Sequence, residues 1–383
     1  MSMFHELMMK KKGMPERYQE VEYIENNSDT SGAYIDTGYK ASSNTRLVVK
    51  CTLNASAFSR AGGHQLAGSD NGLTTQFGVG TALSQQSYRF QYGKSKIDGG
   101  ASISPDTITI FDQNKNKCYI DGNLFHTFSV QTFNCSENTL LFTRQAGSTS
   151  ANWNGKVYYC QIYDNNRLVR NFIPVYDTET QKYGMWESVQ GKFYGNAGTG
   201  DFKGSIVGYT IVGSPTITDG VVSNLSANDY LQLPSVDLSN VNKFEINIGF
   251  TTNATNSANW NAYIMYFNDG KARYFGTDYQ KKTVFITGST SFTGNTTLSN
   301  SKFYRLKYVF TRNGNSDINL DIYITDNDGN FVLDGTFNNV PDITLANSFK
   351  LGTGGTGNNM ASLDLNNTYI KINNKLWFNG QQA

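Results

Sequence analysis

The sequence predicts an all-β protein, two successive antiparallel sandwiches behind a short N-terminal arm, and three observations point there. The first is period-two alternation. Along 243–250, Phe244, Ile246, Ile248 and Phe250 share one face while Lys243, Glu245, Asn247 and Gly249 share the other, as in an antiparallel strand with one buried side. Ile318, Leu320, Ile322 and Ile324 repeat the pattern against Asn319, Asp321, Tyr323 and Thr325. The second is composition. Only 9 Glu occur in 383 residues, against 43 Asn and 37 Gly, and Glu245 is the sole Glu beyond residue 204. Strong helix formers are scarce and turn formers abundant, which excludes helical bundles, coiled coils and most alternating α/β enzymes. The third is a repeated order of elements in the two halves.

Taken in chain order, residues 1–13 stand apart. Phe4, Leu7 and Met8 are spaced for one helical face, Lys10–Lys12 suit a helix C-terminus, and Gly13 with Pro15 ends the segment. The arm is read as a short helix or a disordered tail. Its lysines follow its few apolar residues, the reverse of a secretory signal, so synthesis in a reducing cytoplasm is expected. Cys51 alternates with Leu47 and Val49, and Cys160 with Tyr158 and Ile162. With Cys118 and Cys135 they form no C-x-x-C pair, and buried reduced thiols are expected over disulfides or metal ligation. Turn signals fall at 113–116, Asp121-Gly122, Asn313-Gly314, Asp328-Gly329 and Asn373-Asn374.

Each half then closes alike. A hairpin (107–128, then 304–337) precedes an aliphatic strand with a glycine-rich turn (140–147, then 349–357) and a last long strand (155–163, then 361–372). Between the halves, 195–204 carries four glycines. The expected domains are therefore 14–204 and 205–383.

Charge excludes several classes of partner. Charged residues make up 16% of the chain and the net charge is +1, against about 25% charged in ordinary soluble proteins. Neither half carries the basic excess that grips nucleic acid or anionic lipid. No stretch approaches the roughly 20 apolar residues of a membrane helix. No nucleic acid or membrane partner is expected.

Several segments then occur in a particular order: Met-Pro-Glu-Arg-Tyr-Gln-Glu-Val-Glu-Tyr-Ile-Glu from Met14, Ala-Tyr-Ile-Asp-Thr-Gly-Tyr from Ala33, Lys-Cys-Tyr-Ile-Asp-Gly from Lys117, Gly-Lys-Val-Tyr-Tyr-Cys-Gln-Ile-Tyr from Gly155, Leu-Val-Arg-Asn-Phe-Ile-Pro-Val from Leu168 and Gly-Lys-Phe-Tyr from Gly191. This combination resembles the laminin-G/concanavalin A-like modules of virion proteins from tailed phages of gut bacteria, over about residues 14–203. The ending around Ser362–Ile372 and Lys375–Phe378 looks like that of similar appendage modules. The resemblance implies jelly-roll sandwiches serving as a head or tail fibre, decoration or adsorption module. It also implies a virion location after synthesis in the host bacterium, homo-oligomerisation, assembly with other capsid or tail proteins, and binding to host surface polysaccharide. The alternatives are a glycan-cleaving depolymerase and a bacterial surface adhesin.

Glu20, Glu22 and Glu25 resemble the E-x-D-x-x-E run of jelly-roll glycosidases, where alternation sets nucleophile and acid on one face. Here Glu25 falls out of phase and the central Asp is Glu, so solvated charges on an edge strand are expected and no catalytic residue is assigned. Asp326–Asn330 and Asp70-Asn71-Gly72 invite a calcium reading, but an EF-hand's sixth and twelfth positions fall on Phe331 and Phe337. Turns account for them; no metal site and no cofactor are predicted. Sugar binding needs exposed rings beside amides. Trp153 between Asn152 and Asn154, and Trp260 between Asn259 and Asn261, are the glycan-binding candidates, with loop anchors as the competing reading. Phe4, Leu7 and Met8 are expected to attach the arm to the virion or to trimerise it.

Overall fold

The computed structural model describes residues 13–27, 32–59, 63–70, 75–82, 87–100, 103–144, 152–226, 228–252, 262–267, 273–278, 280–313, 317–325, 329–341, 345–346, 349–352 and 360–382. Phe4, Leu7 and Met8 of the arm lie outside them, as do Asn259, Trp260, Asn261, Gly314, residues 326–328 and residues 71–72. The chain divides into two compact units, Met1–Ser205 and Ile206–Ala383.

Among the described residues, the first unit holds one 11-stranded and one 6-stranded antiparallel sheet. The larger runs Asn123–Thr127, Lys117–Ile120, Thr109–Asn114, Thr45–Leu53, Gly155–Asp164, Arg167–Asp177, Lys182–Glu187, Lys192–Tyr194. The smaller runs Ile35–Asp36, Leu140–Leu141, Gln65–Asp70, Gln76–Thr81, Tyr88–Gly93, Ser95–Gly99. In the second unit, Phe331–Val340, Asp317–Thr325, Phe303–Asn313, Lys243–Thr252 and Met360–Ile372 lie side by side in that order, with Lys375–Asn379 beyond. A second sheet contains Tyr230–Leu233, Phe349–Leu351, Ala262–Phe267, Arg273–Thr277, Lys282–Thr287 and Thr290–Thr297 in that order, and Val236–Asp237 pairs separately with Leu345–Ala346. The two units thus share one jelly-roll strand order, with Thr45–Leu53 in the place of Lys243–Thr252 and Gly155–Asp164 in that of Met360–Ile372.

The alternation read from sequence builds both cores. In the first unit Leu47, Val49 and Cys51 are buried on one face of Thr45–Leu53, and Phe111 meets Phe90 of the facing sheet at 5.8 Å. In the second, Ile246, Ile248 and Phe250 join Leu306, Leu320 and Ile322, while Phe285 and Phe310 meet across the sheets at 5.2 Å. Fully burying one such side chain stabilises by roughly 1.5–3 kcal/mol. All four cysteines are free and buried, and burial pushes each thiol above its ordinary range. Asp121-Gly122 (φ 49° and 81°) and Asn373-Asn374 (φ 49° and 66°) are tight hairpin turns of the kind those residues favour.

Two local expectations are corrected. Tyr158 does not share the core with Cys160, because the pairing with Thr45–Leu53 shifts register between Val157 and Tyr159. The extra residue turns Tyr158 outward, where it meets Lys50 and Tyr23, and burial against them pushes its phenol up to about 12. Nor do Glu20, Glu22 and Glu25 lie on one edge strand. Tyr18–Glu20 pairs with the far end of Arg167–Asp177, and Ile24–Asn26 pairs with both Gly155–Asp164 and Lys203–Gly204. The segment wedges between two strands that splay apart, and Val21 at its bend is fully buried.

Candidate functional site

The sequence-predicted ring is unavailable for stacking. Trp153 is 0% exposed; its indole Nε1 donates to the Thr52 carbonyl at 2.9 Å and its ring meets Phe111 edge-on. Asn152 and Asn154 are also buried. The Asn152 carbonyl faces His64 Nδ1 at 3.1 Å, and Asn154 joins Asn54 and Ser56. Asn-Trp-Asn is therefore a plug in one end of the sandwich, which corrects the glycan-binding expectation there. The counterpart around Trp260 lies outside the described residues. Glu25 accepts from Asn54 Nδ2 at 2.7 Å, while Glu22 is exposed on the bend between two strands, so no single strand presents the three carboxylates together. Among the described residues no cluster of three or more His, Cys, Asp or Glu could hold a metal ion.

The structure brings a different set together. A cleft of about 510 Å³ opens in the first unit. One side comes from Arg17 and the turn after Arg167–Asp177, another from Tyr183 and Phe193, and the rim from the glycine-rich stretch 195–201. That stretch belongs to the first unit and is held to it. Asn196 Oδ1 accepts from the amides of Tyr34 and Gly198 at 3.0 and 2.9 Å, and Ala197 N donates to the Tyr34 carbonyl at 2.9 Å. Gly198 is a steric necessity, since a Cβ there would meet the Gly32 carbonyl at 1.7 Å, and so is Gly204 just beyond the stretch, where one would meet the Tyr183 ring at 2.2 Å.

The cleft's cations are matched internally. Arg17 donates to Asp177 at 2.6 Å and also to Glu179, and Lys182 pairs with Asp201 at 2.8 Å. Burial pushes the Asp177 carboxyl up, but hydrogen bonds from Arg17, Thr180 and the Glu179 amide outweigh it, leaving the group below the usual carboxylate range. Phe193 stacks on Tyr18 at 4.9 Å, and Tyr183 packs against Tyr176 at 5.2 Å. Apolar rings thus stand beside a hydroxyl, carboxylates and cations, the mixture that grips a sugar ring by its C–H face and its hydroxyls.

Neither a protein-family model nor a curated protein sequence matches the chain. Among solved structures it is similar to domains LG4-5 of the mouse laminin alpha1 chain, at 11% identity and a TM-score of 0.30, over 95% of this chain and 92% of that one. The fold assignment rests on the strand order above.

Sequence reasoning missed this cleft. Arg17 and Phe193 belong to the segments Met-Pro-Glu-Arg-Tyr and Gly-Lys-Phe-Tyr, but nothing local says that residues 17, 177, 182 and 201 converge. The pairing of Tyr18 with Asp177 is what brings them together.

Proposed function

We propose that this chain is a non-enzymatic virion structural protein of a tailed phage, a head or tail fibre, decoration or adsorption module. In this reading it forms a homo-oligomer, assembles with other virion proteins and holds a host surface glycan in the first unit's cleft. The virion assignment is supported by the ordered segments along 14–203. The observation that carries the binding function is the cleft, with its rings, hydroxyl and internally matched cations. Because Arg17 and Lys182 already have carboxylate partners, the cleft offers no surplus positive charge for an acidic sugar and suits an uncharged saccharide.

Lys182 and Asp201 are well exposed, at 57% and 66%, so replacing both by Ala leaves the fold and leaves no orphan charge. The Lys182→Ala/Asp201→Ala protein should bind a neutral host polysaccharide at least about tenfold more weakly than wild type. Equal affinity would remove the cleft from consideration. Mass spectrometry of purified virions tests the origin separately, since the chain must be found in the particle.

A further inference from the structure

We infer that the outer face of the second unit's larger sheet, centred on Arg305 and Lys307, docks an acidic polysaccharide. This extends the glycan-binding reading to a second site of different preference and is tested separately from the cleft.

Alternation along Phe303–Asn313 puts Phe303, Arg305 and Lys307 on the side opposite the buried Tyr304, Leu306 and Tyr308. Lys307 stands beside Tyr323 and Tyr323 beside Leu333; Thr325, whose hydroxyl accepts from the Arg305 amide, stands beside Phe331. The Arg305 guanidinium lies 4.7 Å from the Phe331 ring centre and the Lys307 ammonium 4.5 Å from the same ring. Lys307 is also 4.4 Å from the Tyr323 ring. Two cations therefore converge on one aromatic ring.

Among the described residues neither cation has a carboxylate within ion-pair distance. The nearby outward carboxylates are engaged elsewhere: Glu245 accepts from the Tyr369 hydroxyl at 3.0 Å and Asp321 from Thr336 Oγ1 at 2.8 Å. A ring's negative face attracts each cation but does not remove their mutual repulsion, and an anion lying between them would. The described part of the face carries Lys243, Arg305, Lys307 and Lys371 against Glu245, Asp321 and Asp364, the last beside Gly249, although residues beyond 204 hold 12 Lys and Arg against 13 Asp and Glu. The face is net positive while the unit as a whole is nearly neutral.

The apolar surroundings select the kind of anion. Leu333 is 58% exposed and Phe303 43%, apolar surface that a small inorganic ion would not use but the C–H face of a uronic acid would cover. An acidic peptide adding to the sheet edge fits less well. Phe331–Val340 shifts register twice against its neighbour and Asn339 adopts φ 58°, so the edge is not the flat template that strand addition needs.

The test titrates the full chain with polygalacturonate, with neutral dextran and poly-glutamate as comparison probes. Polygalacturonate should bind in a salt-sensitive manner and weaken at least about tenfold in Arg305→Ala/Lys307→Ala. Leu333→Asp, at an exposed position, should weaken it as well by placing a carboxylate in the patch. Lys182→Ala/Asp201→Ala should leave it unchanged. Absence of polygalacturonate binding, binding indifferent to these patch substitutions, or equal binding of poly-glutamate would overturn the inference.

Discussion

The two units use one strand order but seal their sandwiches differently where the outermost strands of the two sheets meet. In the first, Phe125 reaches from Asn123–Thr127 to Tyr88 and Phe90 of the facing sheet, at 5.8 and 5.7 Å. A Cβ on Gly100 would come within 2.7 Å of that ring, so only glycine makes room for the closure. In the second, the corresponding strand Phe331–Val340 sends a buried carboxylate inward. Asp334 accepts from Thr283 Oγ1 and from the amides of Asn295 and Thr296 at 3.2 and 2.8 Å, and Asn295 Nδ2 donates to its carbonyl at 2.6 Å. Phe292 and Phe337 pack alongside. The difference teaches that strand order leaves the edge chemistry open. A ring closes an edge by area alone, whereas a buried carboxylate does so only while every donor aimed at it is satisfied. An inward charge also makes an exposed edge a poor template for further strands.

The largest expected effect follows from that contrast. Asp334→Ala leaves two amides and a hydroxyl without their acceptor and should destabilise the second unit by about 3 kcal/mol. Hydrogen exchange on the full chain should place the loss beyond residue 206; unchanged protection there would mean that water replaces the carboxylate at little cost. Phe125→Ala should cost less, about 2 kcal/mol, because Phe125 is half-buried and the site can partly collapse. That loss should map to strands of the first unit and spare the second.

A third expectation is pH-dependent and confined to the first unit. Asp177 is held below the ordinary carboxylate range, so its contribution is present above the unfolded-state pKa and is lost as pH falls through the folded value. Arg17→Ala removes the cation that holds it down, and acid unfolding of the first unit should then begin at a higher pH. An unshifted acid transition by circular dichroism would assign the low pKa to Thr180 and the Glu179 amide. The smallest effect belongs to Glu20→Gln/Glu22→Gln/Glu25→Gln. Gln still accepts from Asn54, so stability should change by no more than about 0.5 kcal/mol and neutral-polysaccharide binding should persist. Loss of reducing-end release from a host polysaccharide would instead make those residues catalytic.

What the sequence by itself determined is what depends on near neighbours along the chain. Period-two alternation in Lys243–Thr252 and Asp317–Thr325 decided which side chains are inside, since successive residues of a strand point to opposite faces. Asp121-Gly122 and Asn373-Asn374 decided hairpins because few residues tolerate positive φ. Cys51 and Cys160 were legible as core thiols for the same reason of phase. The register of Tyr158 was not, because a one-residue bulge depends on the partner strand and reverses the phase locally. Trp153 looked like a ring displayed between amides; only the facing sheet shows that its indole fills the end of the core and bonds to Thr52. The cleft and the cation pair lie furthest from sequence reach. Arg17 meets Asp177 across 160 residues, and Lys307 and Arg305 meet on Phe331 because three strands lie side by side. Long-range pairing sets such meetings, and nothing in a local pattern specifies which distant strands will be neighbours.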